Sequence, residues 1–157
     1  MKHSGKMDKR FNGQAIADEA KKWIGTPYSH HAAIYQKGCD CVGLLAGILK
    51  RIGYMDKDYK VEYYPKDWML HRSEEKLIGA LEKYSVEINR SELSAGDILL
   101  FKFGRAISHA GIFLKDNLFI HSWTKKATGF AVLKNSLWEE RLAKIVRLDY
   151  EHLPIPA

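Results

Sequence analysis

The sequence predicts an α+β fold, with N-terminal helices packed on one face of a central antiparallel β-sheet. Two patterns and one size argument predict it. Up to about residue 84, apolar side chains recur at helical spacing. After Glu87 they fall into short runs divided by turn residues, the mark of strands. The chain has 157 residues, enough for one domain with a real core. It divides into a flexible lead-in, residues 1–12, and a single domain, residues 13–157.

The first helix is expected from Gln14 to Trp23, with Ala15, Ile16, Ala20 and Trp23 near one face and Gly25-Thr26-Pro27 as its stop. A loop then carries Tyr28, His30, His31 and Tyr35 toward Gly38. The second helix spans about Cys41 to Ile52, because Leu45, Ile48, Leu49 and Ile52 follow the i, i+3, i+4, i+7 rule. Cys41 lies four residues before Leu45 and so starts on the inward stripe; Gly53 is a fitting C′ residue. Residues 54–68 read as irregular and aromatic-rich. Leu77, Ile78 and Leu81 suggest a third helix, about Ser73 to Tyr84. Ala95-Gly96-Asp97 is a turn, followed by a strand from Ile98 to Phe103. His109 to Leu114 and Leu118 to Trp123 form a hairpin, and Phe130 to Leu133 and Leu142 to Leu148 are further strands.

Composition narrows the function classes. No apolar run approaches the roughly 20 residues of a membrane span. Met1 to Arg10 is polar and basic with no apolar stretch, so no secretory signal is expected and synthesis in the cytoplasm is. The formal charge is +6 and the pI near 9.2, but the lysines are scattered. Without a long basic run or a nucleic-acid motif, nucleic acid is not an expected partner. A basic surface also suits anionic polymers such as a bacterial wall.

The chemistry concentrates in Gly38-Cys39-Asp40-Cys41-Val42-Gly43-Leu44. Cys41 falls in the first turn of an apolar helix, where unpaired N–H groups and the helix dipole lower a thiol's pKa. Ser108-His109-Ala110-Gly111-Ile112 and Phe119-Ile120-His121 add a base and a group to orient it. Nucleophile, base and orienter together suit a cysteine hydrolase. The bland alternatives are a small core cysteine and structural histidines. Cys39 and Cys41 are too close for a structural disulfide and are expected to be reduced; Cys39 reads as structural. A zinc module using His30, His31, His109 and His121 is a rival with non-standard spacing.

Hairpin register gives a sharper expectation. A three-residue loop, Lys115-Asp116-Asn117, sets Leu114 opposite Leu118 and Gly111 opposite His121. His109 and His121 then share a face as diagonal neighbours, whereas a two-residue loop separates them. Asn117 suits the left-handed position of such a loop. Gly111 is expected to leave room beside the imidazole for a thiol or substrate.

These segments, with Trp23-Ile24-Gly25-Thr26-Pro27-Tyr28 and Gly96-Asp97-Ile98-Leu99-Leu100-Phe101, resemble the NlpC/P60 cysteine peptidases of bacterial cell walls across about residues 14–148. The resemblance is nearer to the phage-type, tail-associated branch. It rests there on the His30-His31 loop, the Cys39-Asp40-Cys41 run and the insert through Tyr64-Pro65-Lys66-Asp67-Trp68. Val42 departs from the Ser that follows the nucleophile in many wall-housekeeping members. The resemblance implies a papain-like fold and cleavage of peptidoglycan stem peptides, commonly between D-γ-glutamyl and a diamino acid. It implies Cys41 as nucleophile, His109 as base, His121 as third residue, and Tyr28, Asp40 and Ser108 as oxyanion or substrate contacts. No metal or organic cofactor is implied, and tail or tail-like particle proteins are implied partners. Asp40 has the alternative role of helix N-cap, and Tyr28 of simple packing. Rival readings are a non-catalytic tail or assembly module on the same fold, and an amidase or acyltransferase acting on another substrate.

Overall fold

A computed structural model describes residues 11–61, 72–123 and 126–157, with the backbone alone at 72–75. The first helix, α1 (Gly13–Lys22), starts where the Asn12 side chain accepts a hydrogen bond from the Ala15 N–H at 3.0 Å. Phe11 packs edge-on against Tyr54 at 5.0 Å, and the Asn12 N–H donates to the Tyr54 hydroxyl at 2.7 Å. Phe11 and Asn12 therefore belong to the domain. Residues 1–10 lie outside the described set.

The second helix, α2 (Cys41–Arg51), is the apolar axis of the molecule, buried from Cys41 through Leu49. Its end is a Schellman motif: the Gly53 N–H reaches the Lys50 carbonyl and the Tyr54 N–H the Leu49 carbonyl, with φ +78° at Gly53. Before α2, where the sequence predicts loop, the short strands β1 (Ala33–Ile34) and β2 (Gly38–Cys39) form a small antiparallel ribbon. Helix α3 (Arg72–Glu82) buries Leu77, Ile78 and Leu81, the expected stripe. The insert at 64–68 falls outside the described residues.

Six further strands form one sheet: β3 (Ser85–Glu87), β4 (Ile98–Phe103), β5 (Ala106–Lys115), β6 (Leu118–His121), β7 (Gly129–Val132) and β8 (Leu142–Leu148). Their spatial order is β3-β8-β4-β5-β6-β7, every neighbouring pair antiparallel. This is the predicted α+β class. On one face Ile98, Leu100, Ala110, Ile112 and Ile120 join the core built with the helices. The other face holds a second core of Leu99, Phe101, Phe113, Phe119, Leu133 and Ile145. A short helix, α4 (Leu137–Arg141), adds Trp138 to that second core. The turn before β4 is tied to β8 by Arg147, whose guanidinium donates to both oxygens of the fully buried Asp97 at 2.8 and 2.9 Å.

The β5–β6 hairpin reaches the expected pairing by a different route. Ile112 faces Ile120 and Phe113 faces Phe119, which puts Gly111 level with His121. The loop, however, has two residues: Lys115 pairs with Leu118, and Asp116 and Asn117 take φ +52° and +65°, as in a I′ turn. Leu114 is an extra, bulged residue. The bulge restores the register that a two-residue loop alone would have inverted. Gly111 also serves another purpose than expected: a Cβ there would sit 2.6 Å from the Phe119 ring. Its missing side chain admits Phe119 rather than a substrate.

Candidate active site

Cys41 is the first residue of α2, 8% exposed, and Asp40 is the cap that starts the helix. Both Asp40 oxygens are taken by backbone: the Gly43 N–H donates to one at 2.7 Å and the His31 N–H to the other at 2.7 Å. Burial raises the Asp40 pKa, against the lowering effect of these two bonds and of nearby His30 and His31. Asp40 is thus an N-cap that also holds the His30–His31 loop, whose two rings stack at 3.7 Å. Gly43 is required for that loop to approach, because a Cβ there would meet the Ala32 carbonyl oxygen at 1.7 Å.

Strand β5 delivers His109 through a second bulge. Phe101 pairs with His109 and Lys102 with Ile107, so Ser108 has no partner across the ladder. The bulge turns the Ser108 carbonyl toward the thiol, with Cys41 Sγ 3.9 Å from that oxygen. The thiol and the imidazole therefore come from adjoining backbone, one at a helix start and one in the middle of the sheet. The Ser108 hydroxyl is buried with no hydrogen-bond partner among the described residues.

His109 and His121 meet as the register predicts, with His109 Nε2 2.9 Å from His121 Nδ1. Both rings are buried, 3% and 8% exposed. Burial pushes the His121 pKa down to about 4, so this ring is neutral at pH 7. The enclosure is aromatic. Trp138 lies 5.1 Å from His109 and 4.7 Å from His121, and Trp123 lies 4.9 Å from His109 on another side. Sequence reasoning missed these tryptophans. The readable signal was Ser136-x-x-Glu139, whose Ser136 hydroxyl caps the Glu139 N–H and starts α4.

Tyr28 is half-buried, and its backbone bridges that of Cys39. Cys39 is fully buried. Its Sγ lies 3.3 Å from the Thr128 hydroxyl, and burial raises its pKa, so this thiol is held protonated. The six residues singled out in the sequence fall into one neighbourhood through chain adjacency and contact: Tyr28 beside Cys39, then Asp40 and Cys41, then Ser108, His109 and His121. Among the described residues, no group of three or more His, Cys, Asp or Glu side chains is arranged to hold a metal ion. No helix among them is long and apolar enough to cross a membrane.

Comparison with known proteins adds a lineage. The profile of the NlpC/P60 family matches residues 25–147. The chain is 27% identical over 135 residues to the probable endopeptidase NlpC of Escherichia coli K12, covering 85% of this chain and 76% of that protein. It is 27% identical over 143 residues to a gamma-DL-glutamyl hydrolase of Bacillus subtilis, covering 90% of this chain and 30% of that one. Among solved structures, an NLP/P60 family protein of Staphylococcus aureus described as similar to lipoprotein superposes with a TM-score of 0.61 at 25% identity. That match covers 90% of this chain and 42% of the other, so the present chain spans less than half of the last two proteins.

Proposed function

The chain belongs to the NlpC/P60 family, and we propose that it is a cysteine peptidase hydrolysing peptidoglycan stem peptides, at the bond between D-γ-glutamyl and a diamino acid. The observation that supports this reading is the 2.9 Å His109–His121 contact between β5 and β6, together with the Ser108 bulge of β5 that meets a helix-start thiol. The bond class draws support from the relatives named an endopeptidase and a gamma-DL-glutamyl hydrolase.

In this reading neutral His121 accepts the Nε2–H of His109 at its Nδ1, which leaves His109 Nδ1 as the basic atom. That nitrogen takes the Cys41 proton, and the thiolate attacks the amide carbonyl carbon. Charge gathers on the former carbonyl oxygen, where the Cys41 backbone N–H and the Tyr28 hydroxyl donate; one such donor is worth about 3–4 kcal/mol. The C–N bond breaks as His109 returns its proton to the leaving amine, giving a thioester on Sγ. Water then loses a proton to His109 and attacks the thioester carbon, and the C–S bond breaks to release the acid. A neutral orienter is weaker than a carboxylate, but it adds no charge to a site closed by two tryptophans. Asp40 acts here through the helix it caps, since its oxygens are occupied and it is 1% exposed. Ser108, whose buried hydroxyl has no hydrogen-bond partner among the described residues, is the substrate contact.

Digestion of defined muropeptides, with products weighed by mass spectrometry, tests the proposal. Cys41→Ala is expected to abolish cleavage while the fold survives, and His109→Ala to lower kcat by about 10²–10⁴-fold. Turnover by Cys41→Ala at the wild-type rate overturns the reading. An inert Cys41 in a chain that still binds wall fragments turns it into a binding module. A tail-associated role draws on the His30-His31 loop, the Cys39-Asp40-Cys41 run and the insert sequence Tyr64-Pro65-Lys66-Asp67-Trp68. Its test is whether purified tail particles contain this chain.

A further inference from the structure

Cys39 is a junction. Its N–H donates to the Pro27 carbonyl at 3.0 Å, and its carbonyl accepts from the Ser29 N–H at 3.0 Å. The same carbonyl accepts from the Ser122 hydroxyl at 3.0 Å, and its Sγ meets the Thr128 hydroxyl at 3.3 Å. Thr128 is itself locked into the chain before Tyr28, its N–H donating to the Thr26 carbonyl at 2.8 Å and its carbonyl accepting from the Gly25 N–H at 2.9 Å. Three segments of the site converge here: the Tyr28 loop, the start of α2 and the end of β6.

We propose that Ser122 is a positioning residue, whose hydroxyl on the Cys39 carbonyl ties the strand end bearing His121 to the segment that delivers Cys41. The inference deepens the peptidase reading and rests on it. Ser122 directly follows His121, and Cys39 lies two residues before Cys41. The hydrogen bond therefore links the residue after His121 to the residue two before Cys41, so only one residue on one side and two on the other separate it from those side chains. Ser122 is 1% exposed and Cys39 fully buried, so water does not compete for the bond. His121 in turn holds the His109 ring. The tie thus transmits to the imidazole through His121 and to the sulfur through Asp40.

The arrangement separates positioning from stability. Without the Ser122 hydroxyl, the Cys39 carbonyl keeps the Ser29 N–H, so no buried acceptor is orphaned. Ser122→Ala is expected to keep its melting temperature within about 3 °C of wild type. A small misplacement of reacting groups, by contrast, is costly to rate, and kcat is expected to fall about 10- to 100-fold with KM little changed. The loosened thiol–imidazole pair also moves the midpoint of the pH profile for Cys41 alkylation upward, because the thiolate loses part of its counter-charge.

The experiment measures kcat, KM, melting temperature and the pH dependence of iodoacetamide labelling for Ser122→Ala, with Cys41→Ala as the labelling blank. Ser122→Thr and Ser122→Val form a second pair of nearly equal shape that differ in the hydroxyl. The proposal expects Ser122→Thr to exceed Ser122→Val in kcat by about tenfold, and it holds this test even if Ser122→Ala does not fold. Equal kcat and equal labelling profiles across that pair overturn it. If no variant hydrolyses stem peptides, wild type included, the peptidase reading fails. The labelling profiles still decide whether Ser122 sets the thiol–imidazole geometry.

Discussion

A pair of imidazoles in contact has to settle which ring carries charge, and burial settles it at His121. Its folded pKa of about 4 lies below the ordinary value of 6.5. Between these values the unfolded chain binds a proton that the folded chain refuses, so stability is lost as pH falls from about 6.5 toward 4. The expected loss between pH 7 and pH 5 is about 2 kcal/mol from this one group, measured by urea denaturation. His121→Asn places an acceptor where Nδ1 lies. It should remove that slope and keep more activity than His121→Ala. At Cys39 the prediction is opposite in kind. Cys39→Ala deletes the sulfur but none of the three backbone bonds around it, so most peptidase activity should survive, with stability lowered by about 1–2 kcal/mol.

At the scale of elements, the helices and main strands were legible because each carries a strong period. The spans of β4 and β8 match the expected Ile98–Phe103 and Leu142–Leu148 residue for residue. What stayed illegible has physical causes. Ribbons of two residues, such as β1 and β2, are too short to hold a period. The bulges at Leu114 and Ser108 are set by pairing between strands, not by the local sequence. The histidine pairing was predicted through the register, but from a loop length that proved wrong. Trp138 was missed because α4 has only five residues. One glycine tests how the first elements hold Cys41. Gly43→Ala drives a methyl into the Ala32 carbonyl and should push the His30–His31 loop off α2. The expected cost is about 1–3 kcal/mol with a clear loss of turnover, read by denaturation and muropeptide digestion.

Over the whole molecule, charge and topology act separately. The formal charge of +6 draws the chain toward an anionic polymer at a range set by salt. Digestion of intact wall sacculi should therefore slow as salt rises from about 50 to 300 mM, while cleavage of a small free stem peptide changes little. Equal salt dependence for both substrates would rule out the long-range attraction. Topology, for its part, reduces to arithmetic on one hairpin. Eleven residues, 110–120, separate His109 from His121. Whether three of them form the loop, or two form it and one bulges, the same two rings emerge on one side of the sheet. Descendants of this gene can redistribute those residues freely, but a single-codon insertion or deletion there breaks the parity and must be matched by a second.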